Sequence, residues 1–122
     1  MANEIQLQIQ AKVINGSFTD QFNLGGQLQI DQSASGADGG VVSVTTSETT
    51  ISLSRLATEG YCFLRNLDST NYLEFGPDST GMVAIGKLKP SEAAVLRLKP
   101  GITLKAQANT ATCKLLVKCW ED

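Results

Sequence analysis

The side chains best suited to acid–base chemistry are sparse in this chain. Histidine is absent, which removes the commonest general base near neutral pH and the commonest metal ligand. Catalysis by a serine or a cysteine that depends on histidine is therefore excluded. No local arrangement of carboxylates favours a glycosidase pair. We expect a protein that is not an enzyme, with no catalytic residues and no cofactor.

The cysteines and aspartates show no metal-binding pattern. Cys62, Cys113 and Cys119 include no closely spaced pair, whereas structural zinc sites use such pairs or histidine. An odd cysteine number also argues against a secreted disulfide framework, so synthesis in a reducing cytosol fits best. The aspartates near loops are too scattered for a calcium loop. We expect buried thiols, turn-forming aspartates and no metal; the aspartates concerned are Asp31, Asp38, Asp68 and Asp78.

Charge is divided unevenly along the chain. Residues 1–54 hold one base and five acids, a net charge of −4, whereas residues 87–118 hold seven bases and one acid, a net charge of +6. The basic segment is either a face that docks on an acidic protein surface or a set of outward lysines that protect strand edges. Nucleic-acid binding is disfavoured, because the bases are not interleaved with aromatic residues and the whole chain is acidic. The basic interface candidates are Lys87, Lys89, Arg97, Lys99 and Lys105.

Two apolar residues near the end of the sequence complete the interface candidates. In the strand predicted over 112–120, Leu116 and Trp120 point away from the face that carries Leu115 and Val117. Trp120 then either forms a subunit contact or packs against a turn. A further alternative makes Tyr61, Tyr72 and Trp120 an aromatic platform for sugar rings, as in a carbohydrate-binding module.

Alternation with a period of two dominates the apolar pattern, and no helical spacing persists for three turns. Short strands linked by small turns predict an all-β fold, an antiparallel β-sandwich or jelly roll of about eight to ten strands. The length predicts one domain, 1–122, with an exposed Gly/Ser/Ala loop at 31–40. Turns are expected at Gly25-Gly26 and, as type II, at Pro100-Gly101. The predicted strands are 5–13, one or two within 18–30, 41–45, 50–56, 60–67, 71–75, 81–87, 93–98, 102–108 and 112–120.

The first residues lack the basic start and the continuous apolar stretch of a signal peptide. No apolar run approaches the length needed to span a bilayer. We therefore expect neither secretion by a standard signal nor a membrane partner.

Two stretches of the second half carry a family resemblance. One is 60–76, GYCFLRNLDSTNYLEFG, and the other is 87–111, with LKP, Glu92, an apolar strand, KPG and the segment AQANTA. They resemble small β-rich virion structural proteins of tailed bacteriophages, over about residues 41–122. The family pattern often has glycine after Leu-Lys-Pro, whereas Ser91 stands here.

The resemblance implies a non-enzymatic structural role. The favoured form is a capsid decoration or cement protein that is made in the bacterial cytoplasm and binds the major capsid protein on the capsid exterior. Such proteins are often homotrimers, so a homo-oligomer is expected. The alternative within the same class is a tail, baseplate or fibre-connector protein. Whether the N-terminal strand pairs within its own chain or is donated to a neighbour stays open.

Overall fold

The computed structural model describes residues 4–23 and 25–122. These residues form twelve β-strands and no helix, and every strand pairing is antiparallel. Leu24, which belongs to the predicted 18–30 alternation, lies outside the described residues. The strands are β1 (Ile5–Leu7), β2 (Gln10–Asn15), β3 (Phe18–Asn23), β4 (Leu28–Ile30), β5 (Ala37–Val44), β6 (Thr49–Thr50), β7 (Glu59–Asn66), β8 (Leu73–Pro77), β9 (Gly86–Leu88), β10 (Ala93–Arg97), β11 (Leu104–Ala108) and β12 (Cys113–Glu121).

The first of two compact units spans Met1–Ala34. In it β1 pairs with β4, and β2 pairs with β3 as a hairpin. Asn15 and Phe18 face each other across a two-residue turn, in which Gly16 has a φ of 60°. The predicted strand 5–13 is therefore wrong as a single element, because the chain changes pairing partner between β1 and β2.

The second unit, Ser35–Asp122, contains two four-stranded sheets. The first sheet has the order β10-β7-β12-β5 and the second has the order β6-β11-β8-β9. Alternate side chains of both sheets join one buried apolar cluster, which includes Leu64, Leu115, Leu73 and Ala106. The all-β fold class is confirmed, and two sheets over a shared core are a β-sandwich arrangement; the strand orders do not confirm a jelly roll.

The alternation of β12 fixes which side of the first sheet faces the core. Leu115 and Val117 are buried, whereas Lys114 and Lys118 are exposed and Leu116 is half-buried. Because successive side chains of a strand point to opposite faces, the even-numbered residues of β12 lie on the outer face of the sheet. This confirms the placement of Leu116 opposite the apolar face, whereas Trp120 is half-buried at a register shift between β12 and β7.

The predicted loop at 31–40 is wrong over 37–40, which begin β5. Gly39 pairs with Lys118, and a Cβ at Gly39 would run into the carbonyl oxygen of Val117. The small residues of this segment therefore allow close approach of two strands, although their composition also fits an exposed loop. The length of the chain, which predicts one domain over 1–122, does not distinguish the two units.

The predicted strands 50–56 and 81–87 are shorter in the structure than their alternation indicates. The first is limited to β6 and the second to β9. Ile51 still bonds through its amide to the Leu104 carbonyl at 2.9 Å, and its side chain is buried. Within 50–56, apolar alternation thus marks core contacts without a full strand ladder.

Two turns of the second unit share one geometry. At Lys99–Ile102 the amide of Ile102 donates to the carbonyl of Lys99 at 3.4 Å, and Gly101 has a φ of 88°, which confirms the predicted type II turn. At 89–92 the amide of Glu92 donates to the carbonyl of Lys89 at 3.0 Å, and Ser91 has a φ of 68°. Ser91 therefore occupies a left-handed position that favours glycine.

Within the described residues, no helix is long and apolar enough to cross a membrane.

Candidate functional site

The structure distributes the seven interface candidates over separate surfaces. Three lie on the first sheet, in β10 and β12, two lie on the outer face of the second sheet, and two lie in turns. The +6 charge of 87–118 is therefore a property of the sequence and does not form a single face. The first sheet carries Arg97, Leu116 and Trp120, the second sheet carries Lys87 and Lys105, and the turns carry Lys89 and Lys99.

Lys105 is committed to contacts within the chain. Its Nζ lies 3.4 Å from Glu48 Oε1 and 3.5 Å from Asp78 Oδ1. The lysine side chain is only 19% exposed. Lys105 thus holds the connections around β6 and β8 and is a weak docking residue.

A basic and apolar edge lies along one side of the second sheet. β9 is the last strand in that sheet, and the preceding residues continue its course beside β8, since the amide of Ile85 donates to the Phe75 carbonyl at 2.9 Å. Val83 is 52% exposed and Ile85 is 64% exposed. Lys87 and Lys89 follow at the next alternate positions and are exposed as well. We call Val83, Ile85, Lys87 and Lys89 the basic edge.

The cation of Lys87 lies over the ring of Tyr72, 4.1 Å from its centroid. Lys87 also faces Glu74 across the β8–β9 pair. The lysine head is therefore held in place on the sheet, whereas Lys89 projects from the turn that follows. A docking partner thus meets one cation held over an aromatic ring and one exposed cation in a turn at this edge.

Asn66 fixes the end of the basic edge. Its side-chain amide donates to the carbonyls of Asn71 at 2.9 Å and Leu88 at 3.0 Å, and its Oδ1 accepts from the amide of Asp68 at 2.9 Å. Asn66 is fully buried at the end of β7, so this one side chain ties the first sheet to the end of β9. These three hydrogen bonds therefore fix the turn that follows β7.

Asp68 completes this turn. Its carboxylate accepts hydrogen bonds from the amides of Asn71 and Thr70, and these bonds hold the pKa of Asp68 below its usual value. The charged form of Asp68 therefore stabilises the connection between β7 and β8.

An apolar surface with two cations covers the outer face of the first sheet. One row across the strands is Ala93, Arg65, Leu116 and Val41, and the next is Val95, Phe63 and Lys118 opposite Gly39. Val41 and Val95 are exposed. Among the described residues, neither Arg65 nor Lys118 forms an ion pair. We call Val41, Phe63, Val95 and Leu116, with Arg65 and Lys118, the outer apolar face.

A hollow opens in this face above β5. It has a volume of about 440 Å³ and is lined by glycines of β5 and by residues of β12. Gly40 has a φ of 140° and open space where a Cβ would stand. Leu116 forms an apolar wall, and Lys118 and Arg55 supply two cations. Asp38, whose carboxylate accepts from the amides of Gly39 and Arg55, supplies one acid. Because the cations outnumber the acid, the hollow suits an apolar side chain with a neighbouring carboxylate.

Arg97 is paired at the other end of the outer face. Its guanidinium lies 3.0 Å from Asp122 Oδ1 and 4.7 Å from the centroid of the Tyr61 ring. The bond to Asp122 raises the pKa of Arg97 above its usual value. Because cations cover one face of both Tyr61 and Tyr72, a sugar would have to displace a cation or use the other face of the ring.

The three thiols lie in the core of the second unit. Cys62 and Cys119 are directly opposite on β7 and β12, and both are fully buried, as is Cys113. A hydrogen bond to Cys119, together with burial, raises the pKa of the Cys62 thiol above its usual range. The described residues include no cluster of three or more cysteines and carboxylates that could hold a metal ion. The thiols act as small core side chains.

Comparison with protein-family models, with curated proteins and with solved structures finds no match for this chain.

Sequence reasoning misses most of both surfaces. Val83 and Ile85 stand four and two residues before Lys87, so their alternation was a readable sign of one exposed edge. Phe63 and Val95 gave no such sign, because only the register of β7 with β10 places them side by side.

Proposed function

We propose that this protein is a non-enzymatic structural component of a tailed bacteriophage particle that decorates the capsid. It binds the lattice of the major capsid protein and stabilises it. The observation that carries the proposal is the basic edge, where Val83 and Ile85 expose apolar surface beside Lys87 and Lys89 on a rigid β-sandwich. The resemblance of residues 41–122 to virion structural proteins supports the same class.

The basic edge has the composition of an adhesive surface. Its apolar side chains lose contact with water when a partner covers them, at about 25 cal/mol for each Å² buried. Lys87 and Lys89 favour an acidic partner surface and fix the register of docking. A capsid subunit with an acidic, partly apolar outer patch is the partner that this edge fits.

Decoration requires many weak contacts that act together. A single edge of this size binds weakly, but an oligomer that engages several capsid subunits at once gains affinity through effective concentration. Expansion of the shell or internal pressure must then break several contacts at the same time. The protein thus contributes mechanical stability and makes or breaks no covalent bond.

The proposal is tested by binding purified protein to particles that lack it. We expect Lys87→Glu/Lys89→Glu to reduce bound protein at least tenfold, because both cations of the edge are reversed. Lys12→Glu/Lys114→Glu is the control, since it changes the net charge equally at exposed residues that do not belong to the basic edge. Val83→Ser/Ile85→Ser tests the apolar part without a change of charge.

Unchanged binding of Lys87→Glu/Lys89→Glu, with the control pair also unchanged, contradicts the docking role of the edge. Equal loss in both double variants also contradicts it, because the effect then follows net charge alone. Urea unfolding of each variant verifies that the fold is retained. Stoichiometry then distinguishes decoration of the head from a place in the tail.

A further inference from the structure

The β2–β3 hairpin exposes an apolar face of its own. All residues of both strands are exposed. Directly paired residues of an antiparallel hairpin share a face, so the pairs Ala11–Phe22, Val13–Asp20 and Asn15–Phe18 lie on one side. Phe18 is 59% exposed and Phe22 is 55% exposed. We call Val13, Phe18 and Phe22, with Asp20 between the two aromatic rings, the hairpin face.

A partner is needed to cover this face. A two-stranded hairpin in water is at best marginally stable and gains stability when it packs against other apolar surface. The opposite side of the hairpin is mostly polar, with Lys12, Thr19 and Gln21 beside Ile14. The asymmetry between the two sides marks the hairpin face as the one that docks.

The outer apolar face of the second unit complements the hairpin face in charge. The hairpin face carries one charge, the Asp20 carboxylate, flanked by aromatic residues. The outer apolar face carries Arg65 and Lys118, flanked by Phe63 and Leu116. Among the described residues, neither Asp20 nor Lys118 has an ion-pair partner. The two faces are thus complementary, because the acid of the apolar hairpin face matches the cations of the outer apolar face.

The length of the hairpin face also agrees with the width of the first sheet. Phe18 and Phe22 are four residues apart on one strand, a distance of about 13 Å. Four strands of the first sheet span about 14 Å between the axes of β10 and β5. The hollow of about 440 Å³ beside Leu116 and Lys118 accommodates one aromatic ring when Asp20 faces Lys118.

We propose that the hairpin face of one copy docks on the outer apolar face of a second copy, with Asp20 against Lys118 and a phenylalanine ring in the hollow. The inference goes beyond the proposed function, because it assigns the partner of a surface that capsid binding does not use. It also concerns the protein alone, so it holds or fails without any particle.

The contact is head-to-tail, since the donor and acceptor surfaces differ. Head-to-tail contacts generate a closed ring when the rotation between copies closes, and an open filament when it does not. In either assembly each internal copy has its hairpin and its outer apolar face covered, while the basic edge, which belongs to the second sheet, stays available.

A charge exchange tests the proposal on purified full-length protein by sedimentation equilibrium. Asp20→Lys and Lys118→Asp are each expected to raise the dissociation constant of the oligomer at least tenfold. In a mixture of the two single variants, both contacts between unlike copies are matched. The basic hairpin of Asp20→Lys meets the acidic outer apolar face of Lys118→Asp, and the hairpin of Lys118→Asp with the outer apolar face of Asp20→Lys keeps the natural pair. Alternating mixed oligomers are therefore expected, whereas each single variant alone stays dissociated. The double variant Asp20→Lys/Lys118→Asp recovers association to within about threefold of the natural chain.

Matched serine variants separate the two sides of the hairpin. Phe18→Ser/Phe22→Ser removes apolar surface from the hairpin face and is expected to abolish association, whereas Ile14→Ser on the opposite side leaves it unchanged. Urea midpoints of all variants verify folding of the second unit.

Three results overturn the proposal. The first is a natural chain that stays monomeric up to about 1 mM, which includes the case of a hairpin packed on its own chain. The second is failure of the double variant to recover association. The third is equal effects of Ile14→Ser and Phe18→Ser/Phe22→Ser, which would place the contact on neither side in particular.

Discussion

Replacement of Asn66 by alanine tests how the two sheets are held together at the end that carries the basic edge. The side chain makes three hydrogen bonds, at 2.9, 3.0 and 2.9 Å, two to the connection between β7 and β8 and one to the end of β9. Each such bond contributes about 0.5–1.5 kcal/mol net, and each buried partner left without a bond costs about 1–3 kcal/mol. We expect Asn66→Ala to lower the free energy of unfolding by about 3–5 kcal/mol, out of the usual total of about 5–15 kcal/mol.

Urea unfolding measures this loss, with the fluorescence of Trp120, the single tryptophan of the chain, as the probe. With a slope of about 1–3 kcal/mol/M, the midpoint falls by roughly 2 M. Asn109→Ala is the control, because Asn109 is exposed in a turn, and its expected change is below about 0.5 kcal/mol. A loss below about 1 kcal/mol for Asn66→Ala, with an unchanged slope, refutes the role of this network.

Further predictions concern the core, a turn, acid stability and the thiols. Leu115→Ala costs about 2–5 kcal/mol and Leu116→Ala about 1 kcal/mol or less by urea unfolding; equal losses would contradict the assigned faces of β12. Ser91→Gly raises the free energy of unfolding by about 1 kcal/mol, because it removes left-handed strain; a loss would contradict this. The pKa of Asp68 is lowered in the folded state, so its stabilisation is present above the ordinary pKa of 3.8 and is lost as the pH falls through the folded value. Asp68→Asn therefore weakens the decline of the urea midpoint below about pH 4, and an identical decline would refute the assignment. The buried thiols, with a raised pKa at Cys62, resist alkylation in native protein and react in urea, as mass spectrometry measures; rapid native labelling would contradict their burial.

The fold class was predictable because the strands of the second unit carry their own alternation. The predicted strand 60–67 matches β7 at Glu59–Asn66, and the predicted strand 112–120 matches β12 at Cys113–Glu121. In both strands buried core residues alternate with more exposed residues of the outer face. Sequence reasoning detects this alternation. The N-terminal strands were predicted less accurately, because the apolar and polar residues of β2 alternate although all of them are exposed.

The surfaces were less predictable than the strands for a physical reason. A local charge of +6 in the sequence says nothing of which sheet each lysine joins, and the fold places Lys87 and Arg97 on different sheets. Ser91 is a one-residue example, because the turn at 89–92 has a φ of 68° at this serine, a left-handed value that composition would assign to glycine. The composition of a segment therefore identifies a surface only when the strand register that brings its residues together is known.

The copy number of this chain in purified, intact particles tests the central claim most directly. Quantitative mass spectrometry against the major capsid protein gives the ratio. A decoration protein is predicted at on the order of hundreds of copies per particle, in fixed proportion to the capsid lattice. A copy number per particle of only three, six or a small multiple of these, or absence of the chain from intact particles, would contradict capsid decoration.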